Sequence, residues 1–321
     1  MNFIQRLLMV WAMCLCGFAV AQGYPNKPVK LIVGFPPGGG TDIIARMIAQ
    51  KLSESLGQQF VVENRPGGTG MIGANAVAKS PADGYTLLMG HVNSQAIAPA
   101  LAQKPLYNHR TDFATISYVG YVPNVLVVNA NMNVKSIKEL IALAKEQPEK
   151  LTFASTGVGS TNHLAGEMFQ RATGVKLVHV PYKGSAPAIS DLLAGHITMN
   201  FDAMSSVVNF IDQGKMRPLA VTTMERDRQY PQVPTLLELG LKDYSVTNWY
   251  GIVAPANTPK EIISKLNVEI NRILTLPDVK TRLDELGTRT NPMSPEKFNE
   301  FMQSEIEKYQ RVAKENNLTL E

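Results

Sequence analysis

Apolar residues along this chain recur in two alternating rhythms. Leu31, Ile32 and Val33 form a short continuous run of the kind that becomes a buried strand, and Ile43, Ile44, Met47 and Ile48 then recur at helical spacing. The succession repeats. It predicts strands at residues 59–62, 85–89, 151–154, 178–180, 197–201 and 218–222, with helices reaching about Lys79, Leu101, Gln147 and Phe169, then over 187–193 and after Asp202. At 118–129 the pattern changes to two apolar strands on either side of Pro123-Asn124, read as a first crossing between domains, and 246–253 reads as the strand that returns. Ser136 with Glu139 forms a capping box, as does Thr258 with Glu261, where Pro259 takes the first helical position and Pro277 ends the helix. A short helix to Gly287 follows. Ser294 and Pro295 open the last one, whose stripe Phe298, Phe301, Met302, Ile306, Tyr309 and Val312 needs a surface to cover. Strands alternating with helices predict an α/β architecture with mostly parallel sheets, and this length favours two domains.

The turns carry the candidate chemistry. FPPGGGTD at 35–42 lies where a strand hands over to a helix. Helix N–H groups lack partners there, the helix dipole is positive, and glycine admits a ligand to the main chain. Taken alone, such a turn reads first as an ordinary tight connection. ENRPGGTG at 63–70 and HVNS at 91–94 end the next two strands, however, and STGVGST at 155–161 repeats the arrangement in the second half. Open α/β sheets hold ligands outside the carboxyl ends of their strands, so the echo points to two lobes whose helix N-termini face one cleft. The turn has no Walker lysine and no clean GxGxxG.

Composition removes other chemistries. Arg6, the apolar stretch 7–18 and Ala19-Val20-Ala21 form an export signal over 1–21, cleaved after Ala21, and no later stretch is apolar enough to span a membrane, so the expected location is the periplasm. Cys14 and Cys16 both lie inside that signal, which excludes disulfides and thiolate chemistry from the mature chain. The 31 basic and 27 acidic residues give a net charge of +4, and loss of Arg6 leaves 30 against 27, or +3, without a basic cluster. That is too mild for nucleic acid. His91, His109, His179 and His196 have no metal-ligand spacing. His163 with Ser155, Ser160, Asp191 or Asp202 makes a triad only on paper, because there is no GxSxG elbow and His163 sits at a helix opening. No catalytic residue, metal or cofactor is expected; a secreted hydrolase using His163 is the remote alternative.

GFPPGGGTDIIAR, VVENRPGGTGMIGANAVAKSPADGYTLLMG, FASTGVGSTNHLAGEMF, VPYKGSAPAISDLLAG and WYGIVAP together resemble, in order and spacing, the Bug-type substrate-binding proteins of tripartite tricarboxylate transporters. The resemblance implies a type II periplasmic binding protein fold, two α/β lobes with a ligand cleft between them and a hinge crossed twice. Residues 22–123 and 250–321 would form lobe 1 and 124–249 lobe 2. It further implies a monomeric extracytoplasmic receptor for a small carboxylate, whether a di- or tricarboxylate, an acidic amino acid or an aromatic carboxylate. Delivery would be to the membrane components of such a transporter, with a membrane sensor kinase as the alternative partner. Carried onto this chain, the ligand contacts are Phe35, Pro36, Gly38, Gly39, Gly40 and Thr41 on one side and Thr156, Gly157, Gly159, Ser160 and Thr161 on the other. Asn93 and Ser94 line the same cleft, and Tyr182, Lys183, Gly184 and Asp202 line the far lobe. Several side chains keep two readings: Lys183 as ligand cation or solvated turn, Asp202 as ligand contact or helix cap, Arg65 as carboxylate partner or surface ion pair. Asp42 is expected to steady its own helix and pair with Arg46, and Trp249 and Tyr250 to support the hinge.

Overall fold

The computed structural model describes residues 23–241, 244–315 and 318–319; the export signal read at 1–21, with Cys14 and Cys16, lies outside them. Strand β1 (Val29–Val33) is buried at every position but Lys30 and pairs in parallel with β2 (Phe60–Asn64) and β3 (Thr86–His91). Strand β9 (Thr247–Pro255) runs antiparallel to β3, and β4 (Phe113–Asn129) runs antiparallel to β9. Beyond Pro123, β4 pairs antiparallel with β7 (Met199–Ala203) and β8 (Met216–Val221), while β5 (Thr152–Ser155) lies parallel between β7 and β6 (Val178–Pro181). The path β2-β1-β3-β9-β4-β7-β5-β6 makes one sheet of nine strands, with β8 also on β4. Parallel pairing is thus confined to the outer strands of each half. The centre is antiparallel because a chain that leaves the first half must come back, which corrects the expectation of a mostly parallel sheet.

The helices are α1 (Gly40–Leu56), α2 (Met71–Ala78), α3 (Ala98–Leu101), α4 (Ile137–Glu146), α5 (Thr161–Thr173), α6 (Ser185–Ala194), α7 (Met204–Asp212), α8 (Lys260–Ile273), α9 (Pro277–Glu285) and α10 (Pro295–Glu315). Among the described residues no helix is long and apolar enough to cross a membrane. The spacing that predicted α1 buries Ile44, Ile48 and Leu52 in one core with Leu31 and Val33. A second core, with Leu126, Phe153, Phe169 and Phe201, serves the other half.

Three local expectations change. The apolar runs around Pro123-Asn124 are one strand of 17 residues, not two. Proline cannot donate to a ladder, and it falls where β4 exchanges partners: Pro123 stands opposite Thr247, and Asn124 opposite Ala203. Thr258 forms no capping box, because its hydroxyl turns back to donate to Pro255 O at 2.8 Å and Pro259 occupies the cap of α8. Pro277 does not end that helix but starts α9. The serines at 136 and 294 do cap, accepting from Glu139 N and Lys297 N.

The stripe of α10 finds its surface on the central strands. Phe298, Met302, Ile306 and Tyr309 are buried to 1% exposure or less. Trp249 of β9 meets Phe298 edge-on at 6.0 Å and donates through Nε1 to Glu305 at 3.0 Å. This close approach needs Gly251: a Cβ there would lie 2.2 Å from the Phe298 ring. Gly251→Ala is therefore expected to destabilise the protein by about 1–3 kcal/mol, lowering the urea midpoint at unchanged slope. Adding Phe298→Ala should cost less in the variant than in the parent, since the clash partner is gone. Additive losses would show that the ring is not what the methyl meets.

Candidate functional site

Strand β1 leads into the loop 35–39, and a carboxylate from the helix that follows shapes this loop. Asp42 accepts from Gly38 N at 3.0 Å and from Arg46 Nε at 2.9 Å through Oδ2, and from Asn64 Nδ2 at 2.8 Å through Oδ1. Asn64 also holds Phe35 O at 3.0 Å. Burial alone would raise the Asp42 carboxyl, but the bonds from Arg46, Gly38 and Asn64 hold it below the ordinary carboxylate range. Arg65 pairs with Glu63 at 2.7 Å, both on the surface. Gly38 needs its φ of 83° to make the turn. The N-terminus of α1, behind Gly39, receives no side-chain cap.

Across from it lies the N-terminus of α7, also without a side-chain cap. A Cβ on Gly40 would stand 3.4 Å from Ser205 Oγ on α7 and 3.6 Å from Tyr250 Oη on β9, whereas one on Gly39 would meet nothing nearer than Pro36 O at 3.8 Å. Pro36, Gly38 and Gly39 are exposed and Thr41 is buried. Behind α7, the buried Asp202 accepts from Ser185 Oγ and Ala203 N at 2.8 Å through Oδ1 and from Asn200 Nδ2 at 2.9 Å through Oδ2. Burial pushes its carboxyl from 3.8 up to about 6, although these bonds oppose the rise. It acts as an internal anion between the openings of α6 and α7.

The loop 155–161 is engaged differently. Ser160 caps α5 by accepting from His163 N at 3.2 Å. Thr161 N donates to Asn93 Oδ1 at 3.1 Å, and its hydroxyl to Asn248 Oδ1 at 2.6 Å. Gly157 N donates to Ser155 Oγ at 3.2 Å, Gly159 N to His163 Nδ1 at 3.3 Å, and Thr156 Oγ1 to Asn162 Oδ1 at 2.8 Å. Opposite, Thr69 Oγ1 donates to Val158 O at 3.0 Å. Asn93 and Thr161 therefore meet each other, and most main-chain donors of this loop have protein partners. Ser94 is buried and donates to His91 O at 3.2 Å. Tyr182 Oη donates to Asp191 Oδ2 on α6 at 2.6 Å, Lys183 is exposed, and Gly184 precedes α6 in a left-handed conformation, φ 109°.

The serine–histidine pairs imagined from sequence do not form a triad. His179 Nε2 lies 2.7 Å from Ser155 Oγ and stacks on His163 with centroids 4.2 Å apart. Burial pushes both imidazoles down to about 4. Thr69, His91, Ser205, Asn248 and Tyr250 face this region without having been singled out as site residues. Thr69 and His91 fall inside the turns 63–70 and 91–94 that the sequence marks, and Ser205-Ser206 opens a helix after Asp202.

Residues 44–318 match the family model described as the tripartite tricarboxylate transporter family receptor. The chain is 39% identical over 302 residues to Protein BugT of Bordetella pertussis, covering 94% of this chain and 92% of that one. The structure of R. palustris Rpa4515 with adipate is similar with a TM-score of 0.87 at 37% identity, over 92% of this chain and 99% of that one. MatC from Rhodopseudomonas palustris with bound malate is similar with a TM-score of 0.83 at 31% identity, over 90% and 99%. The fold is accordingly the two-lobed periplasmic binding architecture.

Asp202 yields a pH prediction. A carboxyl raised from 3.8 to about 6 stabilises the native state while protonated, fully below its unfolded value, and that contribution is lost as pH rises through 6; two units correspond to about 3 kcal/mol. Asp202→Asn should fold, because its amide donates to Asn200 Oδ1, a buried oxygen without a partner, once the Asn200 amide turns over. Urea denaturation from pH 4 to 8 should show the parent losing about 3 kcal/mol relative to the variant. Parallel profiles would contradict the assignment.

Proposed function

Because the chain belongs to the tripartite tricarboxylate transporter receptor family, a family of solute receptors and not of enzymes, we propose that it closes two lobes on a small carboxylate and delivers it to the membrane components of such a transporter. Residues 1–21 would direct export to the periplasm and be removed after Ala21. Lobe 1 would comprise residues 22–123 and 250–321, and lobe 2 residues 124–249. The partner exchange of β4 at Pro123-Asn124 and the start of β9 at Thr247 support those limits.

The observation that carries the ligand class is the uncapped N-terminus of α1 facing Ser205 across 3.4 Å of Cβ space at Gly40. Helix termini of this kind favour carboxylates. Relatives with adipate and with malate bound, at 37% and 31% identity, support the same class. The ligand-contact set is Phe35, Pro36, Gly38, Gly39, Gly40 and Thr41 of the first loop, Asn93 and Ser94, residues 156–161 except Val158, and Tyr182, Lys183, Gly184 and Asp202. Within it the first loop carries most weight, since its helix terminus is open while the donors of the second are largely engaged.

A thermal-shift panel of di- and tricarboxylates on the chain lacking residues 1–21 tests the reading. A ligand at 100 times its dissociation constant should stabilise by about 2.7 kcal/mol. A shift with neutral or cationic solutes and with no carboxylate would refute it. Gly40→Ala should weaken carboxylate binding at least ~10-fold, while the free protein changes by less than about 1 kcal/mol.

A further inference from the structure

Tyr250 and His91 stand opposite each other on β9 and β3, and neither belongs to the ligand-contact set above. Their rings meet edge-on at 5.1 Å, and Phe35 meets the other side of His91 at 5.0 Å. Tyr250 is 3% exposed and His91 5%. His91 Nδ1 accepts from Asn93 N at 3.1 Å, so the ring proton rests on Nε2. Burial drives the imidazole down to about 3, which keeps it neutral, and burial likewise holds the phenol protonated. Among the described residues no hydrogen bond reaches His91 Nε2 or Tyr250 Oη, and neither atom is among the fully enclosed ones left without a partner. Both therefore border open space. For Tyr250 that space is the opening of α1, 3.6 Å from where a Gly40 Cβ would be.

We propose that the Tyr250 hydroxyl and the His91 Nε2–H are the side-chain donors that grip the ligand oxygen bound at the N-terminus of α1, making these two residues determinants of affinity and of preference for an acceptor-only group. The proposal rests on the carboxylate reading above. Two neutral N–H and O–H donors beside an uncapped helix terminus match a carboxylate, which accepts only, and offer little to an ammonium. Asp202 lies near enough to raise the Tyr250 hydroxyl further, but its charge is already met by Ser185, Asn200 and Ala203 N. Tyr250 stands on β9, and its hydroxyl and Ser205 Oγ of the second half both approach Gly40 of the first, 3.6 and 3.4 Å from where its Cβ would be, so a ligand at this terminus would meet both when the halves close.

Tyr250→Phe removes one oxygen and keeps the ring, and His91→Phe removes the Nε2 donor. Isothermal titration of the parent and both variants with adipate, with malate and with a neutral diol of adipate length, beside the melting temperature of each free protein, tests the proposal. Tyr250→Phe should weaken acid binding by about 10- to 100-fold with the free melting temperature held within about 2 °C, and His91→Phe should weaken it too. Unchanged acid affinity in Tyr250→Phe would overturn the proposal and leave the carboxylate reading standing. If the parent takes the diol and not the acids, the carboxylate reading fails, and a loss of diol affinity in Tyr250→Phe would still support the hydroxyl as a ligand donor.

Discussion

Strands β4 and β9 pair antiparallel from Phe113 against Pro255 to Pro123 against Thr247, and both halves of the molecule hang from that ribbon. β4 is buried at most of its 17 positions, so its residues must suit a core on either side while its partners change. At the exchange point the chain places polar groups in the interior. Asn248 donates to Asn124 Oδ1, and Thr222 N donates to Asn124 O at 2.9 Å. Both oxygens of Asn124 are met in this way while its Nδ2 has no partner; buried acceptors favour a bonded arrangement, which holds the register where the sheet passes from one core to the other. Asn248 also receives the Thr161 hydroxyl, so the ribbon is tied directly to the opening of α5. Helix α10 then covers the outer side of the ribbon through Phe298 and Trp249.

A second ordering concerns helix termini. Ser136 and Ser160 cap α4 and α5, Ser294 accepts at the first turn of α10, and Asp202 serves the openings of α6 and α7. Helix α1 differs. Its own acid, Asp42, turns back to Gly38 and outward to Arg46 and Asn64, shaping the preceding loop while its dipole end stays uncapped. Orphan N–H groups are normally satisfied, so an uncapped terminus between Ser205 and Tyr250 is where an external anion gains most.

Much of this was readable from the sequence because it is local. The strand-then-helix periods, the glycine turns, the caps at 136 and 294, and the Asp42–Arg46 pair depend on residues within a few positions of one another. What was not readable depends on distance along the chain. One donor of STGVGST, Thr161 N, is occupied because Asn93 reaches it from 68 residues away, and no spacing within 155–161 encodes that. Gly40, Ser205 and Tyr250 converge through the sheet order, which a period cannot supply. Pro123 read as a break because proline ends most ladders; here the ladder changes partner at that residue, and the strand runs on.

Two hydrogen bonds join loops from opposite ends of the sheet around the cleft, Thr69 to Val158 O and Thr161 N to Asn93. Both are between neutral groups and contribute about 0.5–1.5 kcal/mol each. Taking a two-state equilibrium from 1:99 to 99:1 requires about 5.5 kcal/mol, more than such a pair supplies. A carboxylate reaching the open end of α1 adds charge-assisted bonds of roughly 1.5–3 kcal/mol apiece, and two or three of them are enough. On the proposed reading, the ligand therefore adds to closure what these two loop contacts do not supply, beside lobe-to-lobe contacts away from the two loops such as Arg289 with Asp227. That balance suits a carrier, because a cleft sealed mainly by its own side chains would stay shut after the ligand had to leave.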